Sequence, residues 1–289
     1  MIAIPFQISH AVMPWILLAT LLCSTLPRTA SAQQLSYVSW KDPVEGAFTT
    51  EAPRGWKVTG GMYQFAPIDV RPQIDAGSPD GAMHVQLGDA LLTTYVVPGP
   101  SSQVRGLHEG QTYEVNGVTY TVMHAMNGTQ YSRFYVQSKL AKALAGLKIG
   151  ESRDRPDIAQ SLHQPLQNGA TLGGTEFTFA RAGKTMRGVC YVRAEPGMGG
   201  IFRVNPSVIL APAEGMETAT EALQHLINQL RLDPQWQARM TRTAKEFTDR
   251  VLRNHDAAMA KMQAEYKKCL SRINATAALW NPILNPPGH

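Results

Sequence analysis

Cysteine is scarce in this chain: Cys23, Cys190 and Cys269 are the three among 289 residues. No CxxC pair occurs, and no Cys/His run has metal-ligand spacing. Neither a zinc module nor a dithiol redox centre is therefore written locally into the sequence. Also missing are a G-x-S-x-G nucleophile elbow, an HExxH signature, a Walker loop and a dinucleotide fingerprint. AGKT at 182–185 lacks the first glycine of a phosphate loop at the needed spacing, and reads as a hairpin turn. After the leader, no two histidines stand three or four apart on a helix. We therefore expect no cofactor and no metal, and no catalytic residue is assigned. Charge is also low, at 17% of residues against about 25% in ordinary proteins. The net value is +5, too mild to argue for nucleic acid.

Long apolar runs are missing as well, apart from Val12–Thr25 (VMPWILLATLLCST). That run has the length of a signal-peptide core and is short of the ~20 residues a spanning helix needs. Ala30-Ser31-Ala32 follows with small residues where a signal peptidase reads. Residues 1–32 are expected to be a signal peptide cleaved before Gln33, although no Lys or Arg precedes the apolar core. A lipid anchor on Cys23 would want a small residue before it, and Leu22 stands there. The expected location is the periplasm or the extracellular space. Export would place Cys190 and Cys269 in an oxidising compartment. A disulfide between them, stapling a long helix to a strand, and two separate thiols are both open readings.

AGSPDGAMHVQLGD at 76–89 gathers Ser78, Asp80, His84 and Asp89. Turn chemistry explains it more simply than catalysis does. Pro79 presets φ, Asp80 tolerates the next position, and Gly81 takes positive φ. His84 then alternates with Met83, Val85 and Leu87, and points away from them. Further strands are expected at 48–51, 56–65, 68–74 and 83–87, with Pro72 suggesting an edge or an irregular strand. The pair Gly60-Gly61 suggests a bulge or a close backbone approach. A hairpin turns at Asn116-Gly117, and a helix is expected over 132–147, ended by Gly150. Residues 150–170 read as a polar connector. Strands return at 176–181, 186–193 and 202–210, followed by a helix over 214–230. The first α/β unit thus spans 33–150. The second, 151–232, either completes the same sheet or forms its own layer.

From about Asp233 the apolar residues recur in steps of three and four, predicting a helix to about 275, with a disordered tail at 276–289. Nine bases, among them Arg239, Arg242, Arg250, Arg253, Lys261, Lys267 and Lys268, face four acids. A solvated face opposite a core or coiled-coil stripe is the plain reading. A docking arm is the sharper one, for an unknown protein partner, a second copy or an anionic membrane surface. Over the whole length the bases are spread around the helix, which counts against the membrane. Trp56, Tyr63, Asp69 and Arg71, with the loop 97–111, form a candidate ligand or partner surface. For Trp56 a place in the core is the simpler alternative, and for Asp69 and Arg71 a surface ion pair.

The stretch DPVEGAFTTEAPRGWKVTGG (42–61), with SPDG and Gly88-Asp89 after it, resembles bacterial exported proteins that carry a PsbP-like domain. FRVNPSVILAPAEGMETATEALQHLINQLRLDPQW (202–236) is similar to their later part. The resemblance implies an α+β fold: a mostly antiparallel sheet flanked by helices, an α/β/α sandwich, here followed by the long C-terminal helix. Members of that fold act as accessory or binding modules. No partner-contact residue of theirs is matched here, so no functional position is carried over. Three functions stay open: an exported accessory or binding protein, a small-ligand or lipid carrier, and a hydrolase-type enzyme with a site assembled from distant residues.

Overall fold

The computed structural model describes residues 35–99, 102–103, 106–115, 117–162, 165–197 and 200–284, with side chains to Arg272. Residues 1–34, with the expected signal peptide, and residues 285–289 lie outside them. Ser36–His289 forms one compact unit. It is α+β, with a curled, mixed half-barrel sheet, a few helices and a long C-terminal helix.

The chain opens with β1 (Tyr37–Lys41) and β2 (Phe48–Pro53), an antiparallel pair joined by the DPVEG turn. β1 precedes the first strand expected from the sequence, at 48–51. Asp42 ties this turn down. Its buried carboxylate accepts backbone N–H groups from Val44 (2.9 Å), Ala47 (2.9 Å) and Met62 (3.2 Å). Such a side chain is costly to bury unless every oxygen is satisfied. The last of these contacts reaches β3 (Lys57–Ala66) beside Gly61. A Cβ on Gly61 would stand 2.2 Å from the Asp42 carboxylate, and one on Gly60 would stand 2.1 Å from the Gln73 carbonyl. The glycine pair thus marks a close approach, as its sequence suggested.

β3 pairs with β4 (Asp69–Gly77), and β4 with β5 (His84–Gly88). The SPDG turn lies between β4 and β5. Gly81 sits at φ +67° and donates to the Ser78 carbonyl at 2.8 Å. Ser78 Oγ donates to Asp80 at 2.5 Å. Pro72 does not lie on an edge strand, since β4 has a neighbour on each side. The β4–β5 register stops at Gln73, however, so at Pro72 that flank carries no ladder to interrupt.

β5 then pairs with a strand from the other half of the chain, β12 (Ile201–Ala211). β11 (Lys184–Pro196), β10 (Thr171–Arg181) and β9 (Lys148–Asp154) continue the sheet. The two sequence halves therefore share one sheet. β6 (Thr94–Val96), β7 (Thr112–Val115) and β8 (Val118–Val122) attach beside β12, and β6–β8 is a parallel pair. β9 corrects the reading of Gly150 as a helix end. KIGESRD carries one apolar residue, as an exposed edge strand can, and so gives no period-2 signal.

Helices cover both faces. α1 (Gly128–Tyr135) starts four residues before the expected Ser132, because Asn127 and Gln130 close a capping box. It then widens into a π-helical turn, Val136–Leu140. Gly173 lets it approach β10: a Cβ there would meet the Thr129 backbone nitrogen at 2.0 Å. α2 (Pro156–Ser161) is a short helix in the supposed connector. α3 (Met216–Asn228) packs on the opposite face against β12, β5 and β2. β13 (Arg231–Leu232) joins β1 and β2 in a three-stranded sheet. α4 (Pro234–Leu284) follows, started by Asp233, whose carboxylate accepts the Trp236 N–H at 2.8 Å. Its bounds run past residue 275 to Leu284, and residues 285–289 of the expected tail lie outside the described residues.

Two cores result, one on each face. Tyr131, Tyr135, Phe177, Cys190, Val192 and Val208 fill the α1 side. Phe48, Ile74, Val85, Ile209, Leu223, Leu226 and Trp236 fill the α3 side.

Candidate ligand-binding trough

Strand alternation sends neighbours to opposite faces. On β11, Cys190, Val192 and Ala194 are buried toward α1, so Tyr191, Arg193 and Glu195 face the α3 side. α3 covers the β5–β12 part of that side. Beyond it the sheet lies open as far as α2 and the segment 165–170. The gap is a trough of about 810 Å³, lined on its floor by Tyr191, Arg193, Asn205 and Ser207. Ile158 and Leu162 line one wall, and Leu223, Ile227 and Leu230 the other, with Thr220 and Gln224 between them. That volume lies within the roughly 300–1,000 Å³ of small-molecule sites.

The charges of the trough are balanced in place. Arg193 Nε donates to Glu195 at 2.5 Å, and its guanidinium also donates to the Pro165 carbonyl at 3.3 Å. At the α2 end, Arg155 donates to Asp157 at 2.7 and 2.9 Å and reaches the Tyr191 hydroxyl at 3.4 Å. Its guanidinium lies 5.3 Å from the Tyr191 ring centroid. The bond to Asp157 raises the Arg155 pKa further, so this cation is permanent. Burial raises the Tyr191 pKa, with Arg155 acting against it, so the phenol remains a donor at neutral pH. Both acids are engaged by arginine. The floor therefore offers hydrogen-bond donors and acceptors without net charge, between apolar walls.

A second polar cluster lies on the α1 side. Asp89 is buried and accepts from the Tyr135 hydroxyl at 2.7 Å, from the Leu91 N–H at 3.0 Å, and from the Lys139 ammonium. Lys139 belongs to the π-helical turn. Burial raises the Tyr135 pKa, and the bond to Asp89 raises it further. Beside it, Tyr95 and Tyr131 share a hydrogen bond of 2.5 Å. This is a closed latch holding the β5 end to α1, because its acceptor is enclosed and already satisfied.

Ser78, Asp80, His84 and Asp89 thus separate. Ser78 and Asp80 serve the turn. His84 meets Asp75 at 3.3 Å, and Asp89 joins the latch. Trp56 packs against the α3-side core. Tyr63 stands opposite Arg71 in the strand register. Asp69 and Arg71 do pair, but as a buried pair rather than a surface one, with side chains 6% and 13% exposed. Phe65 covers the guanidinium at 4.4 Å, and the Ala90 carbonyl accepts from it at 3.3 Å. Cys190 is fully buried and Cys269 is exposed on α4, so both thiols are free and the bridge is not formed. Arg239 pairs with Glu45 at 3.3 Å, and Arg250 lies over Phe247 at 5.5 Å. Arg242, Arg253, Lys261, Lys267 and Lys268 are exposed on α4.

The trough was missed from sequence, although β11 carried a signal. Arg193 and Glu195 are two apart on a strand, where a charged pair must share a face opposite Val192 and Ala194. The same logic found Asp69 and Arg71. The walls, by contrast, come from α2 and α3, and no local spacing shows that these flank one floor.

No family model matches the sequence, and no curated protein matches it. Among solved structures, the chain is distantly similar to the crystal structure of LpqN, described as involved in cell envelope biogenesis of Mycobacterium tuberculosis. The identity is 12% over 71% of this chain and 88% of that one, with a TM-score of 0.26. At that level the likeness establishes no shared role.

Proposed function

We propose that the chain is an exported, non-enzymatic binding protein that holds a small amphiphile in the trough. The observation that carries this is the trough's division into apolar walls and a charge-balanced hydrogen-bonding floor. A charged ligand group would have to displace Glu195 from Arg193. An uncharged polar group, a hydroxyl or an amide, can bond Tyr191, Asn205 and Ser207 without that cost. Its apolar part lies against Leu162, Leu223 and Ile227. Carriage of such a ligand joins the accessory and carrier readings into one. Export is supported by the apolar run Val12–Thr25 ahead of Ala30-Ser31-Ala32. The finer fold reading, a PsbP-like α/β/α sandwich, is supported by α1 and α3 on opposite faces of a mostly antiparallel sheet.

The test uses octyl glucoside below its micellar concentration, followed by amide chemical shifts of residues 33–289. Saturable shifts confined to Tyr191, Arg193, Ser207 and Gln224, and lost in Ser207→Trp, are expected. Shifts that do not saturate, or that centre on another surface, would contradict the proposal.

A further inference from the structure

α4 has two parts with different surroundings. Its first turns are anchored: Trp236 and Phe247 are buried, and Met240 packs against the α3-side core. From Leu252 to Arg272 every side chain is exposed. Yet this free part is not a polar helix. Leu252, Met259, Met262, Tyr266 and Leu270 are large apolar residues in solvent, with Met262 58% and Tyr266 65% exposed. At about 100° per residue these five fall within one arc of about 80°. His255 is the one polar residue inside it, and it contacts Asp256 at 3.6 Å.

The bases of this part lie on the other side. Arg250, Arg253, Lys261, Lys267, Lys268 and Arg272 fall in the opposite arc by the same rotation. Against them stand Asp256 and Glu265, one on each flank, leaving the segment 250–272 at +4. Over the whole helix the bases are more scattered, because in the anchored turns Lys245 falls under the apolar row. No helix among the described residues is long and apolar enough to cross a membrane. A strong apolar arc, a cationic opposite face and insufficient hydropathy to span describe a helix that lies in a lipid interface.

We infer that the free part of α4, from Leu252 to Arg272, docks on an anionic lipid surface. Leu252, Met259, Met262, Tyr266 and Leu270 enter the headgroup boundary, and the bases supply attraction to anionic headgroups. Tyr266 suits that depth, with an apolar ring and a polar hydroxyl. A second copy is the weaker occupant. It would bring another +4 alongside, and the seam would have to bury His255 and Cys269 where stable coiled coils place Leu or β-branched residues. The inference does not depend on what the trough holds.

The experiment sediments residues 33–289, the whole compact unit, with phosphatidylglycerol-containing vesicles and with pure phosphatidylcholine vesicles. Binding to the anionic vesicles at least roughly tenfold stronger is expected, and it should weaken as salt rises. Met262→Asp/Tyr266→Asp should abolish it while leaving the thermal melt of the body unchanged. Lys267→Glu/Lys268→Glu, which leaves the apolar row intact, should weaken it severalfold. No sedimentation with either vesicle would overturn the inference. So would binding that ignores both double variants, or a dimer in sedimentation equilibrium that Met262→Asp/Tyr266→Asp dissolves without any vesicle binding.

Discussion

The same strands build a closed face and an open one. Toward α1, residues 190, 192 and 194 of β11 are cysteine, valine and alanine, sealed under Tyr131, Tyr135 and Phe177. Toward α3, residues 191, 193 and 195 are tyrosine, arginine and glutamate, and the trough lies open above them. The closed face spends its side chains on packing. The open face spends its side chains on a balanced polar floor, whose ion pairs are partly exposed and contribute little to stability. Substitutions on the first should therefore register as stability and on the second as binding.

The largest effect is expected from Phe177→Ala on the closed face. It should cost about 3–5 kcal/mol in denaturant unfolding, and a loss under about 1 kcal/mol would mean that this core is not packed as described. Asp89→Ala comes next. It strands the Tyr135 hydroxyl and the Lys139 ammonium, at about 2–3 kcal/mol. Acid sensitivity is expected from Asp75. Burial pushes its pKa up, but the bonds from His84 and Gln73 outweigh this and bring it below the ordinary 3.8. A depressed carboxylate stabilises the fold above pH ~4 and loses that contribution as pH falls through its folded value. His84→Ala should shrink that acid-dependent part by about 1 kcal/mol, read from melts between about pH 2 and pH 5. Arg193→Ala on the open face should change stability by less than about 1 kcal/mol while weakening octyl glucoside binding. An effect on stability equal to that of Phe177→Ala would erase the distinction between the faces. The smallest signal is chemical. Cys269 alone should react with a thiol reagent in the native protein, since burial raises the Cys190 pKa and encloses it. No reaction at either residue, even in denaturant, would restore the disulfide.

The closed face was largely legible in the sequence. Its strands alternate, and their turns carry the glycines and prolines that turns need, as at Ser78–Gly81. The open face was not. β9 and α2 hide in a polar stretch because an edge strand and a six-residue helix need few apolar residues. The floor of the trough lies on the β11–β12 hairpin, but its walls come from α2 and α3, and no window of sequence shows that these flank one floor. The buried Asp69–Arg71 pair shows the same limit. Spacing put both on one face, but only the tertiary cover of Phe65 decided that the face was closed. On α4 the period was legible, while the point where the body stops holding the helix was not.

Native mass spectrometry of the protein isolated gently from the cells that make it tests the central claim most directly, with the Ser207→Trp variant alongside. The account predicts a small-molecule mass increment on the wild type, lost on denaturation and absent from the variant. A bare chain in both, or an increment that Ser207→Trp retains, would contradict it.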